Sequence, residues 1–279
     1  MKSMSLVEIA LETLNIIESG FYTNGLRKEV SIQEQTNFAV NKSESVRPED
    51  FPNKFDLKKI SGETLFEITD ETTLEAAKRI CRQNDKANPF VLNFANGFQP
   101  GGGFLVGAKA QEESLARASA LYPCLTANMA MYEFNQIHRT ELCSDWMIYS
   151  PQVPVFRNDD GSFTDKPYYV TFLTSPAVNA GFLLQKEPAK AELIYSVNKE
   201  RIKKFLWLAN QKEHQTLILG AWGCGAFRNN IQDIAETFND LLKNEFANCF
   251  ERVIFAIYDT TPTRKVYNAF VEVFDKSHS

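Results

Sequence analysis

The sequence has few of the residues on which metal and thiol chemistry usually depend. Its 279 residues include three histidines and five cysteines, and no two cysteines form a CxxC pair. Scattered cysteines in an odd number argue against a zinc site and against a disulfide framework. We therefore expect reduced structural thiols, an intracellular, reducing and cytoplasmic location, and no metal site.

Basic clusters and long apolar runs are also missing. No cluster of five or more lysines and arginines occurs, and the net charge is −5, which argues against sequence-specific nucleic-acid binding. No run approaches the roughly 18 apolar residues that a membrane helix needs. Glutamates interrupt the apolar pattern of the N-terminus, which is typical of an amphipathic helix and not of a signal peptide. We expect no membrane partner.

The overall composition is typical of a globular protein with a substantial core, since 44% of the residues are hydrophobic and 23% are charged. Ser5 and Glu8 predict a capping box at the start of a first helix, and Gly20 predicts its end. Periodicity is then lost up to residue 62. We expect residues 1–62 to form an N-terminal helical extension, irregular after its helix, packed on a main domain, residues 63–279, within one structural unit.

Strands and helices alternate beyond residue 62. Strands are predicted at 64–69, 90–94, 146–151, 153–157, 168–174, 216–219 and 252–257, and helices after Asp70 as N-cap, from Gln111, and at 189–211, 231–242 and 263–274. This alternation favours an α/β sheet with helices on both faces. In such a sheet, ligands bind beyond the carboxyl ends of the strands.

A glycine loop follows the strand at 90–94. Gly101 to Gly103 are succeeded, seven residues later, by Gln111 to Glu113, which open a helix with an apolar face reaching Tyr122. Backbone N–H groups of such a loop can approach a ligand closely, and a helix N-terminus favours anions, so phosphates suit this place. Two adjacent carboxylates would repel phosphate, and a sugar or a glycosidic bond suits them better.

A second glycine-rich segment, Gly220 to Asn229, follows the strand at 216–219. Gly223 and Gly225 would free its backbone to wrap an anion. The segment is not a GxxxxGK[ST] phosphate loop, and Arg228 occupies the third glycine position of a GxGxxG fingerprint.

These segments, together with TSPAVNAG at 174–181, resemble the microbial type of poly(ADP-ribose) glycohydrolase. The triple glycine, the seven-residue gap and the QEE step match that family's signature, and the resemblance spans most of the chain. It implies a macrodomain-like α/β/α sandwich with a mixed central sheet and no cofactor. It also implies poly(ADP-ribose) or ADP-ribosylated protein as substrate and ADP-ribose as product, released mainly from chain ends.

The resemblance also implies residue roles. Glu113 would be the general acid that protonates the departing ribose oxygen, and Glu112 would hold the adjacent ribose hydroxyls. Asn96 would contact the ribose next to the bond that is cleaved, and Gln111 would brace the loop or the sugar. Without the glycines, both glutamates would be read as partners of the helix dipole, and Asn96 as a turn residue.

The remaining residues that the resemblance assigns to substrate binding are glycines and their neighbours: Gly101, Gly102, Gly103, Gly223, Cys224, Gly225, Ala226 and Phe227. Phe227 would pack against a ribose, although it would also suit the core. Cys224 is not predicted to be a nucleophile, because no histidine lies in a partner motif.

Two rival functions stay open. A mono-ADP-ribosyl hydrolase would use the same cleft on modified protein or nucleic acid, and the intact QEE argues against it. A non-catalytic ADP-ribose-binding macrodomain has no need of Glu113. Exchanging Glu113 for glutamine should therefore separate binding from turnover.

Overall fold

The computed structural model describes residues 4–84 and 87–275. The described strands are β1 (Phe21–Thr23), β2 (Glu29–Ser31), β3 (Glu44–Val46), β4 (Leu65–Thr69), β5 (Phe90–Phe94), β6 (Met147–Arg157), β7 (Phe163–Ser175), β8 (Thr216–Leu219) and β9 (Arg252–Ala256). The described helices are α1 (Leu6–Ser19), α2 (Gln33–Lys42), α3 (Thr73–Gln83), α4 (Gln111–Ala118), α5 (Leu121–Thr126), α6 (Ala130–His138), α7 (Ala180–Lys186), α8 (Leu193–Gln211), α9 (Ile231–Lys243) and α10 (Lys265–Asp275). Within these ranges, no helix is long and apolar enough to cross a membrane.

Seven strands form one mixed sheet in the order β3-β6-β7-β5-β8-β9-β4. Strands β7, β5, β8, β9 and β4 run parallel to one another. At one end, β6 pairs antiparallel with β7, and β3 pairs antiparallel with β6. The predicted α/β class with a mixed central sheet is confirmed. The parallel strands bring their carboxyl ends, and the loops that follow them, to one edge of the sheet.

The core has two layers because the central strands are buried on both faces. Phe90 and Leu92 of β5 point into a cluster with residues of α8, α9 and α10. Val91, between them, packs on the other face with residues of α3, α4 and α5. Successive side chains of a strand point to opposite faces, so the uninterrupted apolar run of β5 supports both layers of the predicted sandwich.

The N-terminal segment is more regular than its sequence suggested. The capping box of Ser5 and Glu8 and the helix end at Gly20 are confirmed. Beyond them lie a short hairpin, helix α2 and strand β3, which pairs with β6 from Glu44 opposite Tyr149. Strands of three residues are too short for a period of two to be recognised, which explains why the sequence suggested irregular structure.

The structure also differs from the predicted elements at several other places. Thr72, not Asp70, caps α3, and its side chain accepts the N–H of Glu75. The helix that QEE opens stops at Ser119, because Ser119 bridges Val155 of β6, and resumes as α5. The two strands predicted between 146 and 157 form the single strand β6, with an irregularity in its pairing. Helices α6 and α7 were not predicted.

Helix α1 packs on the segment that carries the QEE step. Thr13 Oγ1 donates to the carbonyl of Arg117 in α4 at 2.6 Å. Ala10, Phe104 and Ala116 form a small buried cluster between the two helices and the turn after the triple glycine. The N-terminal helix therefore supports the glycine loop from behind.

Candidate active site

The two glycine loops begin side by side at the carboxyl edge of the sheet. Strands β5 and β8 are neighbours, and the ring of Phe94, the last residue of β5, lies against Gly220, the first residue after β8. Trp222 anchors the second loop, since its Nε1 donates to the carbonyl of Ser175 at 3.0 Å. The loops that the sequence singled out are thus brought to one region.

Glu112 lies beneath the first loop with only 2% of its surface exposed. Asn96 N–H donates to its Oε2 at 2.7 Å, and Asn93 Nδ2 lies 3.4 Å from its Oε1. Burial raises the pKa of Glu112 to about 8, and the charge of Glu113 adds to this effect, while the N–H of Asn96 opposes it. The site therefore holds a carboxyl group that keeps its proton near neutral pH.

Glu113 is also buried, and its carboxylate is held by the backbone. Gly103 N–H donates to Oε1 and Ala110 N–H to Oε2, both at 2.9 Å. The first bond joins the glycine loop to the helix, and the second ties the helix start to itself. Glu113 is thereby fixed at the rim of the loop before any ligand is present.

Gly102 lies against both carboxyl groups. Its φ of +57° belongs to the left-handed region, and a Cβ there would lie 2.4 Å from Oε1 of Glu113 and 3.0 Å from Oε2 of Glu112. A side chain at this position would collide with both groups and strain the backbone. The middle glycine thus explains how the loop and the paired carboxylates can share one place.

Gln111 and Asn96 are engaged with the backbone in the unliganded protein. Gln111 Oε1 accepts Phe94 N–H at 2.9 Å, and its Nε2 donates to the carbonyl of Leu92 at 2.8 Å. Asn96 Oδ1 accepts the N–H of Phe98 at 2.8 Å, as its alternative reading as a turn residue predicts. Its Nδ2 makes no hydrogen bond to the described part of the chain, so this amide N–H group can donate a hydrogen bond to a ligand.

A buried amide network that the sequence did not reveal holds the second loop. Asn229 Nδ2 donates to the carbonyls of Val178 and Gly223 at 2.7 and 2.9 Å. Asn198 Nδ2 donates to Asn229 Oδ1 at 2.8 Å. Gly223 has a φ of +74°, and a Cβ there would lie 2.5 Å from Ala177 Cβ. The loop is therefore a preformed structure whose conformation requires glycine.

The other predicted residues of this loop differ in exposure. Gly225 and Ala226 are exposed, and nothing lies within 4 Å of a Cβ built on Gly225. Phe227 is half-buried against the core, and its carbonyl accepts Gly181 N–H at 3.0 Å. Burial raises the pKa of Cys224 to about 12, so this group is a thiol and not a nucleophilic thiolate at neutral pH.

Metal ligands are not grouped in the described residues, where no set of three or more His, Cys, Asp or Glu side chains could hold an ion. Of the three histidines, His278 lies outside those residues, while His138 and His214 contact Phe134 and Tyr149.

Asn93 is the functional candidate that sequence reasoning missed. It is fully buried, and its Nδ2 contacts both Glu112 and Thr174 Oγ1, the latter at 3.1 Å. The signal was its amide within an otherwise apolar strand, because a buried polar side chain needs a partner.

Paired carboxylates that can address a sugar, set in this sandwich, define a glycosyl hydrolase of macrodomain-like architecture.

Comparisons with known proteins give the same class and add a family. Residues 10–158 match the model of the catalytic domain of microbial-type poly(ADP-ribose) glycohydrolase (PARG). No curated protein matches significantly. The PARG structure from Thermomonospora curvata is 41% identical, with a TM-score of 0.92, over 96% of this chain and 99% of that one.

Two further structures contain bound molecules. The T. curvata PARG with the inhibitor ADP-HPD is 41% identical, with a TM-score of 0.88, over 96% of this chain and 98% of that one. The Deinococcus radiodurans PARG in complex with ADP-ribose is 36% identical, with a TM-score of 0.79, over 86% and 97% of the two chains. The chain belongs to the family of microbial-type poly(ADP-ribose) glycohydrolases.

Proposed function

We propose that this poly(ADP-ribose) glycohydrolase cleaves ribose–ribose O-glycosidic bonds with Glu113 as general acid and Glu112 as the group that holds the adjacent ribose hydroxyls. The observation that carries the proposal is the convergence of the two carboxyl groups. One oxygen of each lies within 3.0 Å of the position that a Cβ on Gly102 would occupy. The ADP-ribose and ADP-HPD complexes of relatives support ADP-ribose units as the ligand and ADP-ribose as the product.

The chemistry requires one proton in the carboxyl pair. At neutral pH that proton resides on Glu112 in the unliganded protein, because its pKa is raised to about 8. A ribose hydroxyl placed between the two carboxyls accepts this proton and passes its own to Glu113. Glu113 then protonates the bridging oxygen as the glycosidic bond breaks, and the anomeric carbon develops oxocarbenium character. Water attacks that carbon and returns a proton to Glu113.

The two loops supply binding. Backbone N–H groups around Gly223 and Gly225 suit the diphosphate, and the free Nδ2 of Asn96 suits a ribose hydroxyl. Phe227, half-buried beside them, offers a ring face to a sugar. Gln111 acts through the strand end that it braces, so its contribution is to the position of the loop.

The test is release of ADP-ribose from purified poly(ADP-ribose) by the wild type and by Glu113→Gln, with ADP-ribose binding measured on both. We expect turnover by the wild type, a loss of about 10²–10⁴-fold in the variant as is typical of a general acid, and similar binding by both. Turnover kept by Glu113→Gln would overturn the assignment of the acid.

Cleavage from chain ends stays a prediction of the resemblance. It is tested by the product distribution early in the reaction. Free ADP-ribose as the first small product, matched by polymers that shorten one unit at a time, supports chain-end cleavage, whereas early release of oligomers with little ADP-ribose contradicts it.

A further inference from the structure

A cavity of about 220 Å³ lies behind the catalytic helix α4. Its lining includes Lys109, Ser114 and Arg117 from the segment around α4, and Arg157 and Asp159 from the turn between β6 and β7. Ser114 is two residues beyond Glu112, so it faces about 200° around the helix from it. Neither Glu112 nor Glu113 lines the cavity, although Arg117, four residues beyond Glu113, lies only about 40° around the helix from it.

Arg117 is the unusual member of this lining. Only 6% of its surface is exposed. Its Nη1 donates to the carbonyl of Ala108 at 2.8 Å, and within residues 4–84 and 87–275 its other nitrogen atoms have no hydrogen-bond partner and no carboxylate in ion-pair distance. The charge of Glu113 opposes the effect of burial on the pKa of Arg117, but it makes no ion-pair contact with the guanidinium. A buried charge without such a contact is costly, which favours a bound anion beside it.

Arg157 differs because its charge is matched within the protein. Its Nη2 donates to Glu12 Oε2 at 2.8 Å and its Nη1 to the carbonyl of Gly161 at 2.7 Å. Asp159 is exposed, and its Oδ2 accepts the hydroxyl of Thr72.

The remaining charges of the lining decide its sign. With Arg157 matched by Glu12, they are Lys109 and Arg117 against Asp159. The lining thus has a net positive charge, to which Arg117 contributes a buried guanidinium that makes no ion-pair contact.

We propose that this cavity binds a phosphate group, with Arg117 and Lys109 as its charged contacts. Ser114 lines the cavity, and its hydroxyl donates to the carbonyl of Ala110 at 3.3 Å. A guanidinium with free N–H groups is suited to oxyanions. The volume is below the roughly 300 Å³ at which pockets for drug-sized ligands begin, so a phosphate group fits and a complete ADP-ribose unit does not. The phosphate comes either from solution or from a distant unit of the polymer.

The test is a calorimetric titration of inorganic phosphate, at constant ionic strength, into protein saturated with ADP-ribose. Saturation fills the glycine loops, so that any further phosphate must bind elsewhere. We expect one phosphate per chain, with affinity weakened about tenfold or more by Lys109→Met and by Arg117→Met. Lys199→Met is the matched control, because Lys199 pairs with Asp240 on another face, and its affinity should equal that of the wild type.

The same set of variants includes controls for misfolding. Lys109 is exposed, so its exchange leaves the core intact, and Arg117→Lys keeps the charge of the buried position. Absence of saturable phosphate binding to the ADP-ribose complex overturns the proposal, as does binding that survives both Met variants. Failure of ADP-ribose itself to bind counts against the proposed function instead, and the titration of the free protein with Lys109→Met then decides about the cavity.

A second arm distinguishes the sources of the phosphate. ADP-ribose and short poly(ADP-ribose) chains are titrated into Glu113→Gln with and without Lys109→Met. If the polymer supplies the phosphate, Lys109→Met weakens binding of the chains and leaves that of ADP-ribose unchanged. If free phosphate is the ligand, neither changes.

Discussion

Gly102 and Glu113 are so close that the glycine cannot carry a side chain, since a Cβ on Gly102 would lie 2.4 Å from Glu113 Oε1. We expect Gly102→Ala to displace the acid and to strain a backbone with φ +57°. The predicted result is a loss of about 10²-fold or more in kcat, the lower end for a general acid, measured by ADP-ribose release.

Gly225→Ala is the matched control for that substitution, because it lies in the other glycine loop with nothing within 4 Å of its Cβ position. Because Gly225 belongs to the proposed diphosphate loop, this variant should retain the melting temperature and kcat, and an added methyl group there is expected to affect KM alone. Equal activity of the two alanine variants would contradict the proposed crowding under the carboxyl pair.

The raised pKa of Glu112 predicts a pH-dependent stability. The folded protein binds a proton more tightly than the unfolded chain, in which the carboxyl has its ordinary pKa of 4.5, so the free energy of unfolding should fall as pH rises from 4.5 to about 8. The slope for one proton is at most about 1.4 kcal/mol per pH unit. Urea unfolding of wild type and Glu112→Gln across this range checks it, and the variant should lose the decline. Parallel profiles would contradict the assignment.

The same proton predicts the alkaline limb of activity. Because kcat/KM reports essential groups of the free enzyme, it should fall as pH rises through about 8, where Glu112 loses its proton. The apparent pKa of this limb is a property of the coupled pair, Glu112 and Glu113, and not of one residue. In Glu112→Gln, kcat should drop and the limb should no longer lie there. A wild-type profile that stays flat through this region would exclude Glu112 as the source of the proton.

Asn93 should act as a positioning residue for Glu112. Its Nδ2 lowers the pKa of Glu112, so Asn93→Ala should move the alkaline limb to higher pH and lower kcat by roughly tenfold, the equivalent of one buried hydrogen bond. Asn128→Ala is the control, since it loses hydrogen bonds to Ser45 and Cys124 away from the site. An unmoved limb in Asn93→Ala would leave Asn93 with a structural role alone.

Two neighbouring asparagines separate stability from binding at the second loop. Asn229→Ala removes the bonds to Val178 and Gly223 and should cost about 1–3 kcal/mol of stability together with ADP-ribose affinity. Asn230→Ala removes the N-cap of α9, which should cost about 0.5–2 kcal/mol and leave affinity unchanged. Melting curves and calorimetry on both variants check this, and unchanged affinity in Asn229→Ala would contradict the role of the network.

Much of the fold was predictable because its signals are local. The strand at 216–219 was predicted at its observed limits, since a short apolar run between turn residues is sufficient evidence. The break at Ser119 was not predictable, because it depends on a bridge to Val155 that is distant in sequence. Thr72 was missed as a cap because Asp70, two residues earlier, is an equally good capping residue type.

The candidate site, too, has features that local sequence predicts and features that depend on tertiary packing. The spacing from Gly103 to Gln111 identified the loop and both carboxylates, and the structure places them together. The raised pKa of Glu112 and the burial of Arg117 depend on packing by other segments, which no window of sequence contains. Asn198 supports the second loop from a helix 31 residues earlier in the chain, and nothing around it in sequence marks it.

Strand β3 also has a consequence for aggregation. It covers the first residues of β6, pairing Glu44, Ser45 and Val46 with Tyr149, Ile148 and Met147. A chain that begins at residue 63 would present this part of β6 as an open edge, with unpaired backbone groups beside an apolar run. Open edges of that kind recruit other chains, so we expect removal of the N-terminal segment to promote self-association.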